Sequence, residues 1–192
     1  MIGPERFLAD KSADFEGWLA ARRHGVTATQ VANASTPAGF ERAAADFLTE
    51  WSEPDNPYMR FGREWESTIA DFCAEKFDVL PNEWLIAGEN PIHLATPDGL
   101  SKDQRTIGEY KTTGKDWGKV EKLPLRYRRQ VQWQLHVTGA ERALVAWLVR
   151  EEVDGVFIPA TFEPAWGWLE RDEEMIQDLV VTADRLWRFV RG

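Results

Sequence analysis

The sequence contains one cysteine, three histidines and no long apolar run, and each scarcity excludes a class of protein. A single cysteine, Cys73, excludes an intramolecular disulfide framework and a cysteine-based zinc cluster. His24, His93 and His136 are far apart in the sequence and lack HxH or HExxH spacing, which argues against a histidine metal site. No run approaches the roughly 20 residues that span a bilayer, and the first residues lack an apolar signal core. We therefore expect a soluble, cytoplasmic protein with no membrane association.

The charge of the chain is acidic overall but unevenly distributed. The 192 residues, 43% hydrophobic and 29% charged, predict a single folded domain over 1–192. A net charge of −9 argues against nucleic-acid binding when the chain is taken whole. Between Gly99 and Gln130, however, basic residues outnumber acidic ones. The basic ones are Lys102, Arg105, Lys111, Lys115, Lys119, Lys122, Arg126, Arg128 and Arg129. This basic strip would attract a polyanion, or it is only a solvated surface; charge alone leaves both interpretations open.

The hydrophobic pattern predicts helices at both ends and a sheet between them. Helices are expected over 12–23, 40–51, 63–77 and 124–139, with a long closing helix from 166. Thr27 and Gln30 fit a capping box, which predicts a further short helix there. The loop signal covers 52–62. Strands are expected over 83–88, 92–99, 106–112, 142–151 and 155–163, with "SKDQR" as a hairpin loop. This order predicts an α/β fold around a mixed sheet.

Acidic and basic residues at the centre of the chain predict a metal site. "TPDGL" (96–100) contains Asp98, and "GEYKTT" (108–113) contains Glu109 and Lys111 on one face of a strand. A hairpin can bring Asp98 beside Glu109, and two adjacent carboxylates repel unless a cation lies between them. Mg²⁺ prefers one or two carboxylates together with water and phosphate oxygens. Lys111 would orient or help deprotonate an attacking water and stabilise phosphate charge.

A third carboxylate belongs to the helix over 63–77. Glu66 lies beside that helix's apolar stripe rather than with its solvated acids, so it needs a partner such as a metal or a lysine. The pattern D…ExK is by itself a weak signal, because exposed strands often alternate in charge. The inward Glu66 and the basic strip strengthen it.

Four motifs in order are far more specific than any one of them. "GREWES" (62–67), "TPDGL" (96–100), "GEYK" (108–111) and "RRQVQWQLHVTG" (128–139) resemble the YqaJ-like viral recombinase, or lambda exonuclease, family of the PD-(D/E)XK nuclease superfamily. The resemblance extends from about Arg22 to Gly139. It implies a central mixed β-sheet flanked by helices.

The resemblance implies a role for each residue of the central motifs. Asp98 and Glu109 would be metal ligands, with the main-chain carbonyl of Tyr110 as a further ligand. Glu66 would lie near the metals and act through water. Lys111 would be the catalytic lysine. Tyr110 replaces the family's usual aliphatic residue, but its side chain is expected to point away from the metal.

Two further segments match the family. Gln132 would be the glutamine that approaches the active site from the helix, with Gln130 close behind it. "RRHGVTAT" (22–29) resembles the family's R-x-G-(I/V)-T-A-S segment, in which an arginine and a hydroxyl hold a 5′-phosphate. Thr29 replaces the usual serine, at a helix start suited to anions. Arg22 and Arg23 both compete for the arginine role.

The resemblance implies an Mg²⁺-dependent 5′→3′ exonuclease on linear double-stranded DNA ends, with two ions and with Mn²⁺ as a substitute. It would release 5′-mononucleotides and leave 3′ single strands for phage-type annealing recombination. A ring-shaped homotrimer and a single-strand annealing protein as partner are also implied, as is the host cytoplasm for a phage-encoded chain. Two alternatives stay open: an endonuclease of the same superfamily, and a non-catalytic DNA-end-binding module.

Overall fold

The structure is a computed structural model that describes residues 1–48 and 55–192. Six α-helices and ten strands lie within these ranges. The helices are α1 (Phe15–Arg22), α2 (Ala28–Ala34), α3 (Pro37–Leu48), α4 (Pro57–Phe77), α5 (Leu125–Thr138) and α6 (Glu173–Arg191). The strands are β1 (Phe7–Asp10), β2 (Val26–Thr27), β3 (Val79–Pro81), β4 (Trp84–Ala87), β5 (His93–Ala95), β6 (Gly99–Ser101), β7 (Thr106–Thr113), β8 (Arg142–Val153), β9 (Val156–Pro159) and β10 (Ala165–Glu170).

The strands form two sheets, and both are mixed. The smaller sheet has the order β1-β4-β5-β2, in which β2 and β5 are parallel. The larger has the order β10-β8-β7-β6-β3, with β9 paired to β8, and its parallel pair is β7 and β8. The expectation of an α/β fold with a mixed sheet flanked by helices is confirmed.

Helix α5 separates the two sheets. Val131 and Leu135 on one side of α5 pack against the larger sheet, while Trp133 and Val137 pack toward the smaller sheet and α6. Helix α4 covers the opposite face of the larger sheet, where Ile69 and its neighbours contact β7 and β8. The larger sheet is thus buried on both faces, so a charged side chain at its centre needs a partner. Within the described residues, no helix is long and apolar enough to span a membrane.

Helix α4 begins earlier than the sequence pattern suggests. The loop predicted over 52–62 is wrong from Pro57 onward, where the helix starts; 52–54 lie outside the described residues, as do the last residues of the helix predicted over 40–51. The Asn56 side chain caps the helix by accepting a hydrogen bond from Met59 N at 3.0 Å. Proline is well tolerated in the first turn, because its missing N–H would be unpaired there in any case.

The end of the chain also differs from the prediction. The segment from 166, expected to be all helix, first forms strand β10, in which Trp168 pairs with Leu144 of β8. Helix α6 starts only after Asp172, whose side chain accepts from Met175 N. The expected core strand over 155–163 is the shorter, partly exposed β9. Alternation at the tryptophans and the Asp172 cap are the signals that favour strand followed by helix.

The segment 92–99, predicted to be one strand, is divided between the two sheets. Strand β5 belongs to the smaller sheet and β6 to the larger, and the chain crosses at Pro97 and Asp98. The predicted antiparallel hairpin is confirmed for β6 and β7, with Gly99 opposite Gly108. Asn82 fixes the crossing, because its side-chain amide donates to Pro97 O at 2.8 Å and its backbone N–H to Asp98 O at 3.0 Å.

Two of the three histidines meet in space despite their separation in sequence. His93 of β5 lies 3.0 Å (Nδ1 to Nε2) from His136 of α5 and 3.0 Å (Nε2 to Oδ1) from Asp184 of α6. If His93 donates to the carboxylate, its other nitrogen accepts from His136, so each ring carries one proton. Burial, then His93 and Arg171, lower the pKa of His136 to about 4.

We expect this cluster to make the fold sensitive to mild acid. The pKa of His136 is lower in the folded chain than its ordinary 6.5, so the unfolded chain binds more protons between pH 6.5 and 4. Stability is therefore complete above pH 6.5 and falls as the pH falls toward 4, by roughly 1–2 kcal/mol from this half-exposed ring. Denaturant unfolding at a series of pH values measures it.

His136→Gln is the matched variant, since an amide can still donate to His93 but cannot titrate. Its unfolding free energy should decline less than that of the wild type between pH 6.5 and 4.5. Equal declines in the two proteins would show that His136 is not the source.

Candidate active site

Asp98 and Glu109 converge from neighbouring strands, as the sequence predicts. Glu109 lies at the centre of β7 and is fully buried, while Asp98 is half-buried immediately before β6. The backbone N–H of Tyr110 donates to Asp98 Oδ2 at 2.7 Å, which holds the aspartate against β7. Burial and the nearby charge of Glu109 raise the pKa of Asp98 to about 8. Two carboxylates in this position repel each other unless a cation lies nearby.

Lys111 supplies part of that positive charge. Its Nζ forms an ion pair with Glu109 Oε1, and its side chain is only 20% exposed. Burial alone would lower the pKa of Lys111, but the charges of Glu109 and Asp98 outweigh burial and raise it. The ammonium form of Lys111 is therefore favoured beside these two carboxylates.

Tyr110 has a steric role that the sequence does not reveal. Its side chain points to the α4 face, as alternation predicts, and contacts the paired glycines Gly99 and Gly108. A Cβ added at Gly108 would lie 2.7 Å from the tyrosine hydroxyl, and one at Gly99 would lie closer still. The glycines of both motifs thus leave room for this ring beneath the two carboxylates.

The glutamine that reaches the site is Gln134, which corrects the expectation for Gln132. Gln134 Nε2 donates to Glu109 Oε2 at 2.7 Å. Gln132 instead joins α5 to the end of β10: its Nε2 donates to Glu170 O at 2.8 Å, and its Oε1 accepts from Asp172 N at 2.9 Å. Both glutamines are 1% exposed, so the burial pattern of α5 could not distinguish them. Gln130 is half-buried, one turn before Gln134.

Glu66 faces an open cleft beside these residues. The cleft has a volume of about 490 Å³ and is lined by Glu66 from α4, Lys111 from β7, and Arg126 and Tyr127 from the start of α5. Glu66 is half-buried and also contributes to the raised pKa of Asp98. The sequence prediction of an inward carboxylate near the other two agrees with this placement. Tyr58 and Arg150, which also line the cleft, were not anticipated.

The donor set fits a hard divalent cation. Within residues 1–48 and 55–192, no three His, Cys, Asp or Glu side chains form a complete metal cage. Mg²⁺ does not need one, because it keeps several waters and takes one or two carboxylates with substrate oxygens. Such an ion would offset the repulsion between Asp98 and Glu109, which contributes to the raised pKa of Asp98.

The segment 22–29 lies at the same edge as the Asp98 crossing. Strands β2 and β5 are parallel, so α2 begins beside the crossing that follows β5. The Arg22 guanidinium lies 4.3 Å from the centre of the Trp18 ring, and the Trp18 indole N–H donates to Thr96 Oγ1 at 3.3 Å. This chain of contacts links Arg22 to the crossing. Thr29 is exposed in the first turn of α2, and the capping box of Thr27 and Gln30 is confirmed. Arg23 is exposed at the end of α1.

The basic strip is not one continuous surface. Lys102 and Arg105 lie at the β6–β7 turn, at the far end of the hairpin from Asp98, and Arg105 is paired with Glu141. Lys111 and Arg126 are the members of the strip that line the cleft. The strip therefore contributes positive charge to the cleft from the start of α5 and from β7.

A comparison with protein families identifies the chain. The model of the YqaJ-like viral recombinase domain matches residues 17–141, nearly two-thirds of the sequence. The chain belongs to the YqaJ-like viral recombinase family. The resemblance carried by the four motifs is thereby confirmed. No curated protein sequence matches the chain significantly.

Solved structures show the same fold as this member of the YqaJ-like family. An alkaline exonuclease from Laribacter hongkongensis (LHK-Exo) is 24% identical, with a TM-score of 0.73 over 92% of each chain. The same enzyme in complex with dAMP gives 23% identity and a TM-score of 0.71, again over 92% of each chain. A phage-related exonuclease from Haemophilus somnus 129PT is 13% identical, with a TM-score of 0.66 over 86% of this chain and 93% of that one.

We expect divalent ions to stabilise the fold measurably. Mg²⁺ or Mn²⁺ at about a hundred times its dissociation constant should raise the melting temperature by about 5–10 °C, because the ion binds only the folded site. Asp98→Asn and Glu109→Gln should abolish the rise. Asp103→Asn, on the exposed turn of the same hairpin, is the matched control and should keep it. A melting temperature that changes with neither ion would contradict the proposed donor set.

Proposed function

We propose that this protein is a divalent-metal-dependent 5′→3′ exonuclease on linear double-stranded DNA, which releases 5′-mononucleotides and leaves 3′ single strands. The carrying observation is the convergence of Asp98 and Glu109 with Lys111 beside an open cleft. Membership of a viral recombinase family supports this, because annealing recombination needs single-stranded ends. The alkaline exonuclease and the phage-related exonuclease that share the fold support it further.

Asp98 and Glu109 would hold the ion, with the main-chain carbonyl of Tyr110 as a further donor; we propose Mg²⁺, two ions, with Mn²⁺ as a substitute. When bound, a divalent ion supplies positive charge that acidifies a water molecule and neutralises charge developing on the phosphate. Glu66, which faces the same cleft, is placed to accept a hydrogen bond from water there.

Lys111 acts as a cation and donor rather than as a base. The charges of Glu109 and Asp98 raise the pKa of Lys111, which favours the ammonium form of its side chain. A fixed ammonium near the reacting phosphate stabilises negative charge as it develops. Of the two roles that the sequence left open for Lys111, the electrostatic one fits its surroundings.

Gln134 would position Glu109. Its bond to Glu109 Oε2 leaves Oε1 of the same carboxylate for Lys111, so each oxygen has a defined partner. Partners of this kind fix the orientation of a metal-binding carboxylate. Gln132 has no such contact and is not part of the proposed catalytic group.

For recognition of the 5′-phosphate we propose Arg22 with Thr29, and Gln130 as a neighbouring DNA contact. Arg22 is favoured over Arg23 because its contact with Trp18 links it to the Asp98 crossing. A guanidinium supported by an aromatic ring is well suited to bind phosphate. Discrimination between a 5′-phosphate and a 5′-hydroxyl would follow from this contact.

The decisive assay uses purified protein, Mg²⁺ and three DNAs: a 5′-phosphorylated linear duplex, the same duplex with a 5′-hydroxyl, and a covalently closed circle. We expect 5′-mononucleotides from the phosphorylated duplex, slower release from the hydroxyl duplex, and an intact circle. Arg22→Ala should remove the difference between the two linear duplexes. Lys111→Ala should abolish cleavage and serves as the control for contaminating nuclease.

Other outcomes separate the alternatives. Cutting of the circle would make the protein an endonuclease and remove the proposed role of Arg22 and Thr29. Failure to cut any DNA with either Mg²⁺ or Mn²⁺, combined with binding to DNA ends, would favour the non-catalytic module.

The two buried glutamines should behave differently when substituted. Gln134→Ala should lower the cleavage rate about 10–100-fold and weaken metal binding, since Glu109 loses a positioning partner. Gln132→Ala should lower stability by about 1–3 kcal/mol, because it leaves backbone groups of Glu170 and Asp172 unpaired. Its melting-temperature rise with Mg²⁺ should match that of the wild type. The reverse pattern would restore Gln132 to the site.

A further inference from the structure

Arg150 lies on the face of the sheet that borders the cleft. In the parallel pairing of β7 and β8, Thr113 is opposite Val149, which brings Arg150 beside Gly114. A Cβ added at Gly114 would lie 3.4 Å from the Arg150 guanidinium, so the absence of a side chain there leaves room for it. Arg150 is half-buried, at the point where β8 leaves the core.

Two aromatic rings support the Arg150 guanidinium. Its central carbon lies 4.5 Å from the centre of the Tyr58 ring and 5.7 Å from that of Phe157. The rings come from the start of α4 and from β9, and their centres are 5.1 Å apart. Stacking restricts the arginine side chain, so less conformational entropy is lost when its N–H groups bind a ligand.

Arg150 is unlike two arginines near the cleft, because no carboxylate of the described residues forms an ion pair with it. Arg60 and Arg63, also near the start of α4, are paired with Asp55. In the part of the chain that the structure describes, no carboxylate lies within ion-pairing distance of Arg150. A half-buried, restrained guanidinium without an anion is suited to take one from a ligand, and its planar N–H groups match phosphate oxygens.

Arg150 shares the cleft with Lys111 and Glu66. Gly114 follows Lys111 by three positions, which corresponds to about 10 Å of extended chain. We propose that Arg150 is a phosphate-binding residue that holds the DNA backbone one or two nucleotides from the phosphodiester under attack, with Tyr58 as its positioning residue. This inference rests on the proposed function and adds a second phosphate subsite to it.

The test compares Arg150→Gln with a matched control on the same strand. Arg142 lies at the other end of β8, outside the cleft, and its guanidinium also lies over an aromatic ring, Trp168, at 4.1 Å. Rates of nucleotide release are measured over a range of DNA and NaCl concentrations. Melting temperatures of both variants verify that they fold.

We expect the Arg150→Gln effect to fall mainly on KM, which should rise about 5–50-fold, whereas Arg142→Gln should match the wild type. The dependence of log affinity on log salt concentration, measured by DNA binding in EDTA, should become shallower by about 0.7–0.9, the loss of one phosphate contact. Arg150→Lys should lie between wild type and Arg150→Gln, because it keeps the charge but not the planar donors.

A duplex with one neutral methylphosphonate linkage locates the contacted phosphate. Moving that linkage along the cut strand should weaken wild-type binding at one position near the cut, and Arg150→Gln should be insensitive there. Tyr58→Leu should raise KM in the same direction, and the double variant with Arg150→Gln should show no further loss. If KM, the salt slope and the methylphosphonate profile of Arg150→Gln equal those of the wild type, the role proposed for Arg150 is wrong. The proposed exonuclease function would still hold in that case, provided that the wild type is active. A wild type inactive on every DNA would instead remove the proposed function itself.

Discussion

The buried ion pair between Glu109 and Lys111 is the constraint on which the site depends. A fully buried carboxylate in the middle of a sheet is stable only with a nearby opposite charge, and removing one partner typically costs about 3–5 kcal/mol. Lys111 supplies the charge from the same strand, and Gln134 supplies a hydrogen bond from α5. Strand β7 and helix α5 must therefore keep one register. The geometry of the site therefore depends on how β7 and α5 are aligned with each other.

The close approach of Asp98 to β7 has a steric cause as well as an electrostatic one. Gly99 and Gly108 are directly opposite each other, and the Tyr110 ring occupies the space that side chains at these positions would need. The same residue's backbone N–H binds Asp98. Tyr110 thus packs its ring on the α4 face of the sheet and orients the Asp98 carboxylate through its backbone N–H. This gives a physical reason for glycine in both "TPDGL" and "GEYK".

The local sequence pattern predicted the parts of the site that lie on one hairpin. It failed where the position of a side chain depends on contacts between segments that are distant in the sequence. Alternation along 106–113 correctly put Glu109 and Lys111 on one face, and the hairpin correctly put Asp98 beside them. Whether Gln132 or Gln134 reaches Glu109 depends on which element packs against each side of α5. The sequence of the helix alone does not show this. The start of α4 at Pro57 was missed because proline signals both loops and first turns. Arg150 was missed because its cleft is formed by four separate elements, α4, β7, α5 and β8.

Helix α5 explains how the active site is joined to the rest of the fold. Four of its residues bind four different parts of the chain: Gln132 the start of α6, Trp133 the backbone of Leu94, Gln134 Glu109, and His136 the ring of His93. A helix rotates by about 100° per residue, so neighbouring side chains necessarily point in different directions. The second half of α5 (131–138) is buried except at the half-buried His136, so polar side chains there need hydrogen-bond partners in several directions. A shift of α5 that broke the bond to Glu109 would break the other three as well. The orientation of the central carboxylate is therefore stabilised by contacts on both sheets and on α6, far beyond its own strand.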